Sequence, residues 1–136
     1  VNAFRRLRKN LTEPVFNSWG YNTRSAALRI PCSDESNRRI EYRLAGADAN
    51  PYLVAATILT GMLYGLEHID EGDLPEPQHD QPELPLFQQE AIEAFARCEY
   101  LTDSLGDAFS EQWVACKLSE LDWFERIVTQ EESHLA

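Results

Sequence analysis

Residues 25–44 read SAALRIPCSDESNRRIEYRL, and two alternating runs within this stretch decide the fold. The runs 25–30 and 38–44 each place an apolar side chain at every second position. Successive side chains of a strand point to opposite faces, so both runs predict half-buried strands. Pro31 ends the first run, and the polar turn 32–37 joins the two closely enough for a hairpin or for neighbouring strands. The stretch therefore predicts a short antiparallel pair.

The chain after this pair is predicted to be mostly helical. Asn50 and Pro51 are typical of a helix start, with a capping side chain before a proline at the first helical position. Residues 70–85 hold four prolines and six acidic residues, which indicates an exposed excursion. We predict the α+β class: site loops and strands over 1–47, a long buried helix over 48–69, a proline-rich acidic loop over 70–86 and a helical tail over 87–136. Within the tail, 87–105 and 110–128 read as two amphipathic helices.

Charge and cysteine content exclude several classes of protein. The net charge of −11 argues against binding to nucleic acid or an anionic membrane, because the chain would repel phosphate. Residues 1–50 hold nine basic against five acidic residues, whereas 51–136 hold three against eighteen. This asymmetry predicts one part that handles anions and one solvated helical part. Three cysteines without a paired motif indicate reduced thiols, and we expect a cytoplasmic location. A first residue of Val1, just before a charged motif, predicts a fragment.

The second strand carries the strongest chemical signal. Strand geometry places Arg39, Glu41 and Arg43 on one face, and Arg29 lies on the polar face of the neighbouring strand. Arginine stays charged and binds two oxygens of a phosphate or carboxylate at once. Glu41 between such cations should stay ionised and is a hard ligand suited to Mg²⁺ or Mn²⁺. The pattern also fits a solvated strand face with a purely structural ladder of ion pairs, and spacing alone does not separate the two.

Four blocks resemble the glutamine synthetase superfamily in its order and close to its spacing. They are NAFRRL at 2–7, NTRSAALRIP at 22–31, RRIEYR at 38–43 and ADANPY at 47–52. The resemblance implies the C-terminal part of the catalytic domain of an ATP-dependent ligase, within a ring-shaped homo-oligomer, with a dodecamer expected. The N-terminal remainder of the enzyme would supply the other metal ligands and most of the nucleotide pocket.

The same resemblance implies a role for each matched position. Arg6 corresponds to the arginine that holds the glutamate carboxylate, and Arg24 and Arg43 to those that contact glutamate and the phosphoryl group in transfer. Arg29 and Arg39 correspond to arginines around the ATP phosphates, and Glu41 to a ligand of a catalytic Mg²⁺ or Mn²⁺. Transfer of the γ-phosphoryl of ATP to a carboxylate joins two anions, so a concentration of cations suits it.

One departure from the family pattern bears on the amine substrate. In ammonia-using members a loop glutamate helps to bind and deprotonate ammonium, and its position here is Thr12, with Glu13 one residue late. Either the loop slips so that Glu13 serves, or the missing carboxylate leaves room for a larger amine. The residues at 17–21 and 45–50 resemble γ-glutamylpolyamine (γ-glutamylputrescine) synthetases, so we favour transfer to an organic amine such as putrescine. The alternatives are an ammonia-using glutamine synthetase and a non-catalytic assembly or regulatory module. The isolated fragment is expected to be inactive.

Overall fold

The computed structural model describes residues 4, 6–8, 14–68 and 82–127, which belong to two compact units. One unit covers Asn2–Leu86 and holds the strands and the first long helix, and the other begins at Phe87 and holds three helices. The predicted α+β class is confirmed.

A three-stranded mixed sheet organises the first unit. Strand β1 (Trp19–Tyr21) pairs in parallel with β2 (Leu28–Ile30), which pairs antiparallel with β3 (Glu41–Tyr42). The predicted antiparallel pair is confirmed, although both strands are shorter than the alternating runs. Strand β1 was not predicted, since the predicted strands covered only 25–30 and 38–44. Three residues are too few to show an alternating pattern, so β1 is recognisable only from its pairing with β2.

Small residues form the buried layer beside the sheet. Ala26 and Ala27 are buried just before β2, and Pro14 and Val15 are buried before β1. The end of the proline-rich loop joins this layer: the Leu84 amide donates to the Val15 carbonyl at 2.8 Å, and the Asn17 amide donates to the Pro82 carbonyl at 3.1 Å. This part of the predicted excursion is therefore held by the backbone, whereas residues 69–81 lie outside the described residues.

Helix α1 spans Pro51–His68, close to the predicted bounds. Its predicted cap is confirmed, since the Asn50 side-chain oxygen accepts from the backbone amides of Tyr52 at 3.0 Å and Leu53 at 3.3 Å. The sequence predicts a buried helix, but no residue of α1 is buried in this chain. A helix that is apolar on all sides is normally enclosed by protein. The prediction therefore holds for the helix and fails only for the protein expected around it.

The second unit packs α2 (Gln88–Arg97), α3 (Glu99–Leu105) and α4 (Asp107–Glu125) together. The sequence predicts one helix over 87–105, and this prediction is wrong in one respect. Cys98 leaves helical geometry with φ −87° and ψ 85°, and it divides the segment into α2 and α3. Between α3 and α4, the buried Ser110 hydroxyl donates to the Thr102 carbonyl at 3.3 Å.

Gly106 makes the turn between α3 and α4 with φ 87° and ψ 139°, a conformation that a side chain disfavours. No atom lies within 4 Å of the position that an added Cβ would take, so the penalty for Gly106→Ala comes from the backbone alone. We expect this substitution to lower the free energy of unfolding by about 1–3 kcal/mol, as measured by urea titration with tryptophan fluorescence. The control is Gly61→Ala within α1, where an added Cβ also meets no atom within 4 Å and should stabilise its helix by about 0.5–1 kcal/mol.

Candidate functional site

The site centres on Glu41, where β2 and β3 run side by side. Their register places Arg29 directly opposite Glu41. Arg29 Nη1 donates to Glu41 Oε2 at 2.8 Å, and Arg39 Nη2 donates to Oε1 at 3.1 Å. Each carboxylate oxygen thus accepts from a different guanidinium. The structure brings together these three residues, which we call the Glu41 cluster, as the alternating pattern predicted.

Asn22 completes the support of Arg29, and the sequence did not single it out. Its side-chain oxygen accepts from Arg29 Nη2 at 2.9 Å, so Arg29 is held at both terminal nitrogens. Asn22 has a φ of 50°, which asparagine tolerates better than most residues, and its amide donates to the Ile30 carbonyl at 2.8 Å. An asparagine directly after the Trp-Gly-Tyr stretch was the available signal, because asparagine favours such turns.

The Glu41 cluster favours the ionised carboxylate. The hydrogen bond from Arg29 is the main cause that lowers the pKa of Glu41 below its usual 4.5. Desolvation is the second-largest influence and opposes it, while the charge of Arg29 and the weaker effects of Arg39 lower the pKa further. The Glu41 side chain is 30% exposed and that of Arg29 is 21% exposed, so solvent still screens the pair. The result is a fixed carboxylate between two cations.

A lowered pKa for Glu41 makes a pH prediction. The ionised state strengthens strand pairing at every pH above about 4.5, and this contribution is lost as the pH falls through the depressed pKa. By NMR titration of the Glu41 carboxyl carbon, we expect a midpoint below 4.5, which Arg29→Ala moves upward. Arg97→Ala, which removes an arginine on α2, should leave the Glu41 titration unchanged. An identical midpoint with and without Arg29 contradicts the role given to this pair.

The other predicted arginines lie in different settings. Arg6 Nη2 donates to the Leu44 carbonyl at 2.9 Å, just beyond β3. The Arg43 amide donates to the Ala27 carbonyl at 3.0 Å, while its Nη1 lies 3.5 Å from the Ala26 carbonyl, the outer limit of a hydrogen bond. Within the described residues Arg43 does not pair with Glu41, despite the predicted shared face.

Arg24 differs from the rest. It lies exposed in the bends between β1 and β2, and no side-chain hydrogen bond or ion pair joins it to another described residue. Thr12 and Glu13, on which the amine prediction depends, lie outside the described residues. Among the described residues, the five predicted arginines thus divide into Arg24 without a side-chain partner, Arg6 and Arg43 against backbone carbonyls, and Arg29 and Arg39 against Glu41.

Glu41 alone could supply only part of a metal site. Across 14–68, 82–127 and the few described residues before them, no group of three histidine, cysteine or acidic side chains is placed to hold a metal ion. Mg²⁺ commonly takes one or two protein carboxylates and completes its shell with water and substrate phosphate. Glu41 has the chemistry of one such ligand.

Comparison with known proteins identifies the family. The family model described as the catalytic domain of glutamine synthetase matches residues 1–135. The chain belongs to the glutamine synthetase family. Relatives include γ-glutamylputrescine synthetase of Escherichia coli, 43% identical over 97% of this chain. Lengsin of Rattus norvegicus is 37% identical over 90% of the chain, and glutamine synthetase of Pyrococcus furiosus is 31% identical over 99%.

The matched part of each relative is much shorter than the relative itself. This chain covers 29% of the E. coli protein, 23% of rat lengsin and 33% of the Pyrococcus enzyme. The resemblance seen in four sequence blocks thus extends over almost the whole chain, including the helical part that those blocks do not reach.

Proposed function

We propose that this chain is part of an ATP-dependent ligase that forms γ-glutamyl phosphate and transfers the γ-glutamyl group to an organic amine such as putrescine. The Glu41 cluster carries the proposal, because Arg29 on β2 and Arg39 just before β3 lie 2.8 and 3.1 Å from one carboxylate. Such a rigid arrangement suits the binding of phosphate oxygens without further reorganisation.

The arginines would bind different anionic groups of the two reactants, ATP and glutamate. Arg29 and Arg39 would bind the ATP phosphates, and Arg6 would hold the glutamate carboxylate. Arg24 and Arg43 would contact glutamate and the phosphoryl group as it passes to the γ-carboxylate oxygen. The γ-phosphoryl bond to ADP breaks and the acyl phosphate forms. The unprotonated amine nitrogen then bonds to the acyl carbon, and phosphate and one proton from the nitrogen are released. Positive charge at each stage offsets the repulsion between reactants.

A divalent cation is part of this proposal, with Glu41 as one of its ligands. When bound, Mg²⁺ or Mn²⁺ would neutralise charge on the ATP phosphates. Glu41 is already ionised and fixed by Arg29, so it presents a charged oxygen ligand without a proton to lose. We also propose assembly into a ring, with a dodecamer expected, through parts of the enzyme beyond this chain.

The choice of amine rests on two observations. The 43% identity to the E. coli protein exceeds the 31% identity to Pyrococcus glutamine synthetase. The resemblance to the family also implies that Thr12 stands where ammonia-using members have the ammonium-binding glutamate. An ammonia-using enzyme is the second candidate, since the Pyrococcus protein also matches 99% of the chain.

A chimeric enzyme tests the proposed function. The matched stretch of E. coli γ-glutamylputrescine synthetase is replaced by residues 1–136 of this chain, and assembly is checked by light scattering. We expect glutamate-dependent ATP hydrolysis with putrescine to exceed that with ammonium at least tenfold, measured as phosphate release and by mass spectrometry of the product. The isolated chain is the control and should release no phosphate.

The possible outcomes separate the candidates. Preference of the chimera for ammonium contradicts transfer to a larger amine and favours an ammonia-using enzyme. An assembled chimera without activity toward either amine contradicts the ligase and favours a non-catalytic module. Phosphate release by the isolated chain contradicts the need for the rest of the enzyme.

A further inference from the structure

The guanidinium of Arg29 is held at two different atoms by two partners that are not equivalent. Nη1 donates to Glu41 Oε2 at 2.8 Å, and Nη2 donates to Asn22 Oδ1 at 2.9 Å. The third nitrogen, Nε, is buried and has no hydrogen-bond partner among the described residues. A planar group held by one hydrogen bond can rotate about it, whereas bonds at two nitrogens fix its plane. The orientation of Arg29 therefore depends on Asn22 as well as on Glu41.

Glu41 is a shared partner. Its other carboxylate oxygen accepts from Arg39 at 3.1 Å, and the same carboxylate is the proposed ligand of a divalent cation. Asn22 Oδ1, in contrast, accepts from Arg29 alone among the described side chains. The amide oxygen is neutral, so its hydrogen bond changes little when the charge around Glu41 changes. Asn22 is thus the partner of Arg29 that other cations do not compete for.

The backbone fixes the position of Asn22. This residue directly follows β1 and has a φ of 50°, a left-handed conformation that asparagine tolerates. Its amide donates to the carbonyl of Ile30, the last residue of β2, at 2.8 Å. Parallel strands are usually joined by a dozen or more residues, whereas residues 22–27 alone join β1 to β2. The two strands therefore set the place of Asn22 relative to Arg29.

Arg29 keeps donors for a ligand while it is held. Each terminal nitrogen of an arginine carries two N–H groups. With one used for Glu41 and one for Asn22, one N–H remains on each terminal nitrogen. We propose that Asn22 is a positioning residue, which fixes the guanidinium plane of Arg29 for two oxygens of an ATP phosphate and does not itself contact the substrate. The inference rests on the proposed function, because that function places ATP at Arg29.

Replacement of Asn22 by glycine in the chimera tests this role, because glycine keeps the positive φ and removes only the side-chain oxygen. We expect the Kd for ATP, measured by isothermal titration calorimetry, and the KM for ATP each to rise about tenfold. The KM for glutamate and the unfolding temperature should change little. In the Arg29→Ala background the same substitution should raise the Kd for ATP less than about twofold, because no guanidinium remains to be oriented.

A second measurement needs no ATP. Two anchors on Arg29 slow the rotation of its guanidinium, so nitrogen-15 NMR of residues 1–136 should show separate Nη1 and Nη2 signals, assigned by their loss in Arg29→Ala. Asn22→Gly should merge these two signals. The control is Gln89→Ala, which removes a side-chain amide that donates to Glu93 at 3.1 Å on α2. It should leave the Arg29 signals separate and, in the chimera, the Kd for ATP unchanged.

The outcomes distinguish positioning from a role in the turn alone. Unchanged ATP affinity in Asn22→Gly, or an equal loss in the Arg29→Ala background, contradicts a role through Arg29. A loss seen with Asn22→Ala but not with Asn22→Gly also contradicts it, because the positive φ alone then matters. An assembled chimera that binds no ATP, with Arg29 signals that still merge in Asn22→Gly, rejects the proposed function and leaves Asn22 as the residue that orients Arg29.

Discussion

Replacement of Arg29 by Ala in the chimera is expected to lower kcat/KM for ATP by about 10²–10³-fold, the usual loss when one preorganised donor to a reacting anion is removed. Arg29 is the best-fixed arginine of the site, because its two terminal nitrogens donate to Glu41 at 2.8 Å and Asn22 at 2.9 Å. The substitution removes a guanidinium from the proposed phosphate site and also releases the Glu41 carboxylate. Arg29→Lys retains the charge but not the two-pronged geometry, so we expect only partial recovery.

Arg97→Ala is the matched control for this prediction. Arg97 is paired with Glu93 at 3.9 Å on α2 and its side chain is 75% exposed, so its removal should change neither activity nor stability appreciably. Arg29→Ala and Arg97→Ala are compared by steady-state kinetics at varied ATP concentration and by thermal unfolding of the same samples. If Arg29→Ala lowers the unfolding temperature while activity persists, the Glu41 cluster is a structural ion-pair ladder and its proposed catalytic role is wrong.

The Glu41 cluster was predictable because two independent regularities coincide in it. Alternation placed Arg39 and Glu41 on the polar side of one strand and Arg29 on the polar side of the other. Because a short connection joins the two runs, pairing of the strands places these polar faces side by side. The alternation did not predict which residues of the two strands lie opposite each other. This register depends on backbone contacts such as the hydrogen bond from the Arg43 amide to the Ala27 carbonyl.

The helical part shows where local patterns stop being informative. Residues 87–105 keep an apolar pattern through Cys98, yet the backbone there breaks helical geometry and α3 begins anew. No proline or glycine marks this break, so local propensity gave no sign of it. The glycine that does mark a boundary, Gly106, lies where φ is positive and a side chain would be strained.

Helix α1 illustrates a different limit. Its capping residue and its apolar content predicted the helix itself, and Asn50 caps it as expected. Burial depends on what lies outside the segment, and that information is absent from the segment's own pattern. Helix α1 is therefore predictable from its own sequence, whereas its exposure in this chain is not.

We expect Arg24→Ala to lower the activity of the enzyme with less effect on its stability than any other substitution in the site. No described side chain pairs with Arg24, so its removal should change the free energy of unfolding by no more than about 0.5 kcal/mol. An unpaired, exposed guanidinium beside β2 remains available to a ligand, in contrast to Arg6, which already donates to the Leu44 carbonyl at 2.9 Å. If Arg24 contacts glutamate and the phosphoryl group in transfer, kcat of the chimera should fall by about 10²–10³-fold.

The matched control for Arg24 is Arg38→Ala, which removes another exposed arginine to which no catalytic role is assigned. It should leave kcat and the KM for glutamate within about twofold of the chimera, since isolated surface charges have small effects. Arg24→Lys should recover part of kcat, because a cation is restored without the planar fork. A rise in KM for glutamate at constant kcat limits Arg24 to substrate binding, since equal binding of ground and transition states leaves kcat unchanged. Full activity of Arg24→Ala contradicts both roles, and only the arginines held against Glu41 and the backbone carbonyls then remain candidates for phosphoryl transfer.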